Sequence, residues 1–221
     1  MRDFVRGPNV LPPYSPGESA FLPQPQFDVL VVDPPWSYGK AAFERKCSRN
    51  VGSRHYATIG QGQGGEINRR TGAGIANIIE ATPIPKWAAD DAHLYLWVTN
   101  PKLPFAFEIM ESWGFVYKTT LTWVKIRKDG GVHGGGMGWF FRGATEHVLF
   151  GVKGNKPIPS SLRSPNVVMA QKGRHSAKPD VFYDLVDAVS GPNDRKLDVY
   201  SRGVPREGWW GWGDEAAPDG P

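Results

Sequence analysis

The strongest constraint on the fold is a continuous run of strand length, FDVLVVD at 27–33, that is stopped by two prolines. Its β-branched and aliphatic residues do not alternate with polar ones, and such runs are typical of strands covered on both faces, as in parallel sheets. Proline lacks a backbone donor and has a fixed φ, so Pro34 and Pro35 end the strand in a stiff turn. The pattern predicts a central parallel strand with Asp33 at its carboxyl end.

Strand-like runs and helical periods alternate along the rest of the chain. Strands are predicted at 92–99, 115–125, 145–153, 166–171 and 196–200, and helices at 101–114, 178–190 and, interrupted by prolines, within 75–89. This alternation predicts an α/β fold with a mainly parallel central sheet and helices on both faces. Ligands of such sheets bind beyond the carboxyl ends of the strands, which is where Asp33 is predicted to lie.

The domain organisation follows from where the apolar runs begin and end. Residues 1–26 are rich in proline and polar side chains and predict an irregular arm, 27–215 predict a single domain, and 216–221 predict a flexible tail. The chain holds 27 glycines and 20 prolines among 221 residues, and this surplus indicates loops, since 40% apolar and 12% aromatic residues leave too much buriable surface for disorder. The longest predicted loop includes a glycine-rich stretch at 60–82.

Several functional classes are excluded on the sequence. A single cysteine, Cys47, cannot form an internal disulfide or a paired zinc site, and the five histidines lack the spacing of metal ligands, so no metal is predicted. No stretch approaches the roughly 18 apolar residues of a membrane span, and the start of the chain lacks the apolar region of a signal peptide. We therefore expect a protein without membrane contact, located in the cytoplasm.

Positive charge is concentrated in one segment. The formal net charge is +4, and residues 40–54 alone hold five Lys and Arg side chains against one Glu. Such clusters are either solvated loop charge or contacts to phosphates, whose counterions they release. Charge alone leaves both interpretations open.

The tetrapeptide DPPW at 33–36 has a structural and a chemical interpretation. Asp-Pro-Pro is ordinary strand-ending chemistry, after which Trp36 could cap the core. Alternatively, the group suits methylation of an exocyclic adenine amine, whose lone pair is delocalised into the ring. The Asp33 carboxylate and a backbone carbonyl would localise that pair, and Trp36 would stack on the base, which contributes about 1–3 kcal/mol.

DPPW after an apolar strand resembles the MT-A type of N6-adenine methyltransferases. The likeness covers roughly 27–215 and includes further blocks in the same order. These blocks are HYATI at 55–59, LYLWVTNP at 94–101, TLTWVK within 113–125, EHVLFGVKG at 146–154, HSAKPD at 175–180, KLDVYSR at 196–202 and REGWWGWGDE at 206–215. The resemblance implies a Rossmann-like methyltransferase fold in which the catalytic strand comes first and the cofactor-binding strand last, a permuted motif order.

The resemblance also implies the site residues and S-adenosylmethionine as cofactor. The implied catalytic residues are Asp33, Pro34, Pro35 and Trp36, with Pro34 supplying a carbonyl. The implied cofactor contacts are Asp33, Lys178, Asp198, Arg202, Asp214 and Glu215, with Lys178 reaching the methionine carboxylate. The family usually has Gly-Asn followed by Glu or Gln, and here the corresponding pair is Asp214 and Glu215. Asp214 keeps an acceptor for ribose hydroxyls but lacks the amide donor of Asn.

The implied substrate is nucleic acid, with DNA preferred to RNA because a compact chain resembles a stand-alone enzyme. The expected substrate-binding residues are Trp36, Tyr38, Tyr56, Lys40, Arg45, Lys46 and Arg49. The loops at 40–54, 60–82 and 126–138 would replace a separate target-recognition domain. RNA methylation, a non-catalytic nucleic-acid-binding subunit, and a homo- or heterodimer remain open alternatives. Methylation of a cytosine amine or of an amide is disfavoured, because enzymes of those classes tend to have Ser or Asn, respectively, at the position of Asp33.

Overall fold

The computed structural model describes residues 26–36, 78–79, 82–136, 138, 140–173, 177–213 and 215–216. Their strands are β1 Phe27–Val32, β2 Ala88–Val98, β3 Val116–Ile126, β4 Thr145–Lys153, β5 Val167–Gln171, β6 Lys196–Val199, β7 Arg202–Gly203, β8 Trp209–Trp212 and β9 Glu215–Ala216. Their α-helices are α1 Ile84–Trp87, α2 Leu103–Ser112 and α3 Asp180–Val189, with 3₁₀ turns at Asn100–Lys102 and Ser160–Leu162. None of these helices is long and apolar enough to cross a membrane.

Seven strands form one sheet in the order β5-β3-β4-β2-β1-β6-β8. All neighbouring pairs are parallel except those of β4, which runs antiparallel to β2 and β3. β1 lies inside the sheet between β2 and β6, where Val31 is in register with Tyr95 on one side and Asp198 on the other. The predicted α/β fold with a mainly parallel sheet is confirmed, and its first strong apolar run is a central strand.

Helices cover both faces of the sheet, as predicted. Leu30 and Val32 of β1 face the cluster that contains Ile109 of α2, whereas Val29 and Val31 face the cluster that contains Phe182 of α3. Proline occupies the first turn of α2, a position where the missing N–H costs no helical bond. The two helices therefore bury their apolar stripes against opposite faces of the sheet, and β1 presents apolar side chains to both faces.

One strand of the sheet, β8, was not predicted from the sequence. β8 pairs in parallel with β6, with Leu197 in register with Trp210. The four-residue WWGW segment is too short to show a period of its own. Gly211 permits the pairing, because a Cβ there would lie 2.7 Å from both Pro205 and the Ser201 hydroxyl.

Candidate active site

Asp33 lies directly beyond the carboxyl end of β1, and its N–H donates to the Val199 carbonyl of β6 at 3.3 Å. Its Oδ2 lies 3.0 Å from the Nζ of Lys178, two residues before α3 begins. The structure therefore brings together the residue predicted to be catalytic and a lysine predicted to bind the cofactor. Both residues lie at the carboxyl ends of the parallel strands, where ligands of such sheets bind.

The ion pair continues into a chain of four charges. Lys178 Nζ also lies 3.1 Å from Glu146 Oε2, and Glu146 Oε1 lies 2.6 Å from Lys125 Nζ. Lys178 is only 10% exposed and stands 4.9 Å above the centre of the Trp97 ring. A buried ammonium is stabilised here by two carboxylates and an aromatic face.

Two of these four charged residues, Glu146 and Lys125, were not predicted as site residues. Each sits inside a block that carried the resemblance, EHVLFGVKG and TLTWVK, yet neither block indicated which side chain points to the site. The pairing of antiparallel strands β3 and β4 places them side by side, with Trp123 in register with Glu146. Only this cross-strand pairing identifies them.

The charges change one another's proton affinities. Burial alone would lower the pKa of Lys178, but attraction to Asp33 and Glu146 outweighs it and raises the pKa well above the usual range. Burial would raise the pKa of Glu146, but Lys178 and Lys125 together lower it. Burial raises the pKa of Asp33 despite the opposing effect of Lys178. Lys178 is therefore a permanent cation between two carboxylates.

Asp198 is the second acidic group of the site. It lies in β6, and its Oδ2 accepts a hydrogen bond of 3.2 Å from the Tyr183 hydroxyl of α3. Burial raises the pKa of Asp198 to about 7, with the Asp33 charge adding to the shift and the Tyr183 hydrogen bond opposing it. Asp198 has no ion pair with either lysine among the described contacts, so its carboxylate is a candidate partner for a positively charged ligand group.

Trp36 lies in the core, in agreement with the structural interpretation of the tetrapeptide. It is 4% exposed, and its indole N–H donates to the Trp97 carbonyl at 3.0 Å. In this position its ring offers no open face to a base, so base stacking by Trp36 finds no support in the structure. The carbonyl of Pro34 accepts the Trp36 backbone N–H at 2.7 Å and keeps a second lone pair.

The remaining predicted residues are placed less completely. Arg202 lies exposed in β7, and its charge lowers the pKa of Asp33. Glu215 belongs to β9, although its side chain is not described. Tyr38, Lys40, Arg45, Lys46, Arg49, Tyr56 and Asp214, together with most of the 60–82 loop, lie outside the described residues. Their roles remain predictions.

His147 has structural partners. One ring nitrogen lies 2.8 Å from the Asn100 side-chain oxygen and the other 3.2 Å from the Thr122 hydroxyl. Burial lowers its pKa, although Glu146 opposes the shift. Within the described ranges, no group of three or more His, Cys, Asp or Glu side chains could hold a metal ion.

The site, the strand order and the motif order agree with one family, whose model, MT-A70, matches residues 27–215. The chain belongs to the MT-A70 family. In this MT-A70 chain the DPPW strand β1 opens the domain and β6, with Asp198, comes late, so the permuted order is present in the topology. The resemblance expected from the sequence is confirmed.

Curated relatives of this MT-A70 chain are methyltransferases by name. The Type II methyltransferase M.MunI of a Mycoplasma species is 29% identical over 88% of this chain and 79% of its own length. The N6-methyladenosine RNA methyltransferase MTA1 of Pyricularia oryzae is 27% identical over 86% of this chain and 47% of its own length. The human N(6)-adenosine-methyltransferase catalytic subunit METTL3 is 31% identical over 51% of this chain and 20% of its own length. The chain thus spans less than half of the two adenosine methyltransferases.

Proposed function

We propose that this MT-A70 chain transfers a methyl group from S-adenosylmethionine to the N6 amine of adenine in nucleic acid, with DNA preferred to RNA. The observation that carries the proposal is the Asp33 carboxylate, held by Lys178 at the carboxyl end of the central strand. A carboxylate in this position can accept a hydrogen from the target amine.

The chemistry of Asp33 follows from its contacts. Lys178 binds Oδ2, and the carboxylate retains lone pairs on Oδ1 that can accept an amine hydrogen. The second lone pair of the Pro34 carbonyl can accept the other amine hydrogen. Two acceptors would hold the nitrogen lone pair toward the methyl donor, which is a positioning effect. Because burial raises the pKa of Asp33, its carboxylate can also take up the proton that the methylated nitrogen releases.

The charge of the site fits S-adenosylmethionine, which supplies an electrophilic methyl group when bound. Its sulfonium and ammonium are cations, and the Asp198 carboxylate of the site forms no described ion pair of its own. Asp198, with its pKa raised to about 7, would gain a cationic partner. Lys178 would have to bind the methionine carboxylate while it still contacts Asp33 and Glu146. We therefore place Asp198 with the cationic groups and Lys178 primarily with Asp33.

The preference for DNA rests on one comparison. Of the three relatives named above, this chain covers 79% of the type II methyltransferase M.MunI but less than half of the RNA methyltransferase MTA1 and of METTL3. A cytoplasmic location is proposed together with this function. The alternative is a non-catalytic nucleic-acid-binding subunit, and the intact DPPW group with its ion pair supports the enzyme.

The deciding experiment measures labelled methyl transfer from S-adenosylmethionine to DNA and RNA oligomers that contain adenine. We expect transfer by the unaltered chain, a loss of about 100-fold or more in Asp33→Ala, and full activity in Asp90→Ala, an exposed carboxylate of β2. If Asp33→Ala methylates as well as the unaltered chain, the mechanism is wrong. If binding persists while neither nucleic acid is labelled, the chain is a non-catalytic subunit.

A further inference from the structure

A cavity of about 650 Å³ lies on the α3 face of the sheet, toward the end of the strands opposite to Asp33. Its floor is formed by Tyr95, Leu121 and Phe150 of the adjacent strands β2, β3 and β4. Lys118 and Thr119, near the amino end of β3, line it, as does Val189, the last residue of α3. Lys178 lies just before the start of that helix, about 15 Å of helix away. The cavity is therefore separate from the candidate active site.

The cavity exists because one helix covers only part of this face. α3 contributes Phe182 and Val186 to the core over β1 and β2, and the chain between β4 and β5 closes the rest. That connection supplies a second wall, from Gly154 to Ile158 and from Arg163 to Asn166. Its volume falls within the range of about 300–1,000 Å³ that is typical of sites for small organic ligands.

The charge of the lining has one sign. Lys118, Lys156 and Arg163 line the cavity, and no carboxylate of the described residues does. Lys156 is neutralised by Asp194 at 2.9 Å, whereas Lys118 and Arg163 form no ion pair within the described part of the chain. Two cations are therefore available to an anionic group at the cavity.

The rest of the lining determines what else the ligand carries. Six apolar side chains contribute to the walls: Leu121, Phe150, Val152, Ile158, Leu185 and Val189. Tyr95 is 1% exposed, and among the described residues its hydroxyl has no hydrogen-bond partner. Buried hydroxyls are normally paired, so the Tyr95 hydroxyl is an exception beneath the cavity floor. An apolar body with an anionic group matches both the cations and the apolar side chains of the lining.

We propose that this cavity is a second ligand site, which binds a small organic anion with an apolar or aromatic body. The anionic group pairs with Lys118 and Arg163, and the apolar body contacts the floor and α3. The proposal is independent of methyl transfer, because no residue of the site at Asp33 contributes to it.

The test uses two fluorescent probes of nearly equal shape on the full chain. 8-Anilino-1-naphthalenesulfonate carries an anionic group, and N-phenyl-1-naphthylamine is its uncharged counterpart. We expect the anionic probe to bind at least about fivefold more tightly. In a Lys118→Glu, Arg163→Glu double variant that preference should disappear, while Arg195→Glu, an exposed arginine that does not line the cavity, should retain it.

Several outcomes would overturn the proposal. Equal affinity for the two probes would show apolar surface binding without a site for an anion. Displacement of the anionic probe by S-adenosylhomocysteine would place it in the methyl-transfer site. A double variant that changes the oligomeric state in solution but not probe affinity would assign this face to contact between copies. Loss of methyl transfer in Asp33→Ala leaves the probe result unchanged, so the two proposals fail separately.

Discussion

Lys178 and Asp33 form an ion pair, with 3.0 Å between Nζ and Oδ2, although they lie far apart in the sequence. The sequence assigned the two residues to different tasks, Lys178 to the cofactor and Asp33 mainly to the target amine. In the structure, Lys178 contacts Asp33 and Glu146 together. Lys178 thereby fixes the orientation of the Asp33 carboxylate, and any ligand carboxylate must share that lysine with two protein carboxylates.

Loss of this lysine should destabilise the fold. Lys178→Met leaves Asp33 and Glu146 facing one another without a shared cation, and breaking a buried pair costs about 3–5 kcal/mol. Lys178→Arg should recover most of that loss, because it restores the charge. Urea unfolding gives the free energies. The control Arg127→Met breaks a pair whose side chains are 55% and 63% exposed, and it should change stability by less than about 0.5 kcal/mol. Similar losses of stability in Lys178→Met and Arg127→Met would contradict a stabilising role for the buried ion pairs of Lys178.

Cofactor affinity should rise with pH through about 7. The pKa of Asp198 is raised to about 7 in the free protein, so near that pH the group is partly protonated. A cationic ligand group favours the ionised form and lowers this pKa, which means that binding below about pH 7 releases a proton and is weaker. Calorimetry of S-adenosylmethionine between about pH 6 and about pH 7.5, in buffers of different ionisation enthalpy, measures both effects.

Asp198→Asn is the matched variant for that measurement. It removes the titrating group, so both the proton release and the rise in affinity should vanish. Tyr183→Phe removes a hydrogen bond that lowers the pKa of Asp198, so the rise should move to higher pH. An unchanged pH dependence in Asp198→Asn would mean that another group is responsible.

Gly211→Ala should destabilise the last strand of the sheet. The new Cβ would lie 2.7 Å from Pro205 Cγ and from Ser201 Oγ, so the pairing of β8 with β6 would have to shift. Such overpacking costs about 1–3 kcal/mol. Thermal unfolding measures the loss. At Gly134 an added Cβ meets nothing within 4 Å, and Gly134→Ala should leave the midpoint nearly unchanged. Equal effects would show that β8 is not closely packed.

The basic segment 40–54 is predicted to contact nucleic acid. Changing Arg45, Lys46 and Arg49 to Glu should weaken binding to DNA oligomers and flatten its dependence on salt, because fewer counterions are released. The affinity for S-adenosylmethionine should not change and serves as the control. Binding that keeps both its strength and its salt slope would assign these charges to a solvated surface.

Some features were readable from the sequence because they depend on neighbours along the chain. The apolar run of β1 and its stop at two prolines predicted a buried central strand with Asp33 beyond it, and the structure confirms the strand and the placement. The period of α3 and the ordered blocks predicted the fold class and the family. Each of these signals lies within a short segment.

Other features required the folded chain because they depend on residues that are distant in sequence. Glu146 and Lys125 meet Lys178 only after β3 and β4 pair antiparallel, and Trp36 finds its hydrogen-bond partner, the Trp97 carbonyl, only in the core. Burial, which raises the pKa of Asp198 to about 7, likewise exists only once α3 packs on the sheet. The α/β fold, the family and the position of Asp33 could be read from short stretches of sequence. The charges that surround Asp33 are identified only by folding, because ion pairing and desolvation depend on distance in space and not on order in the chain.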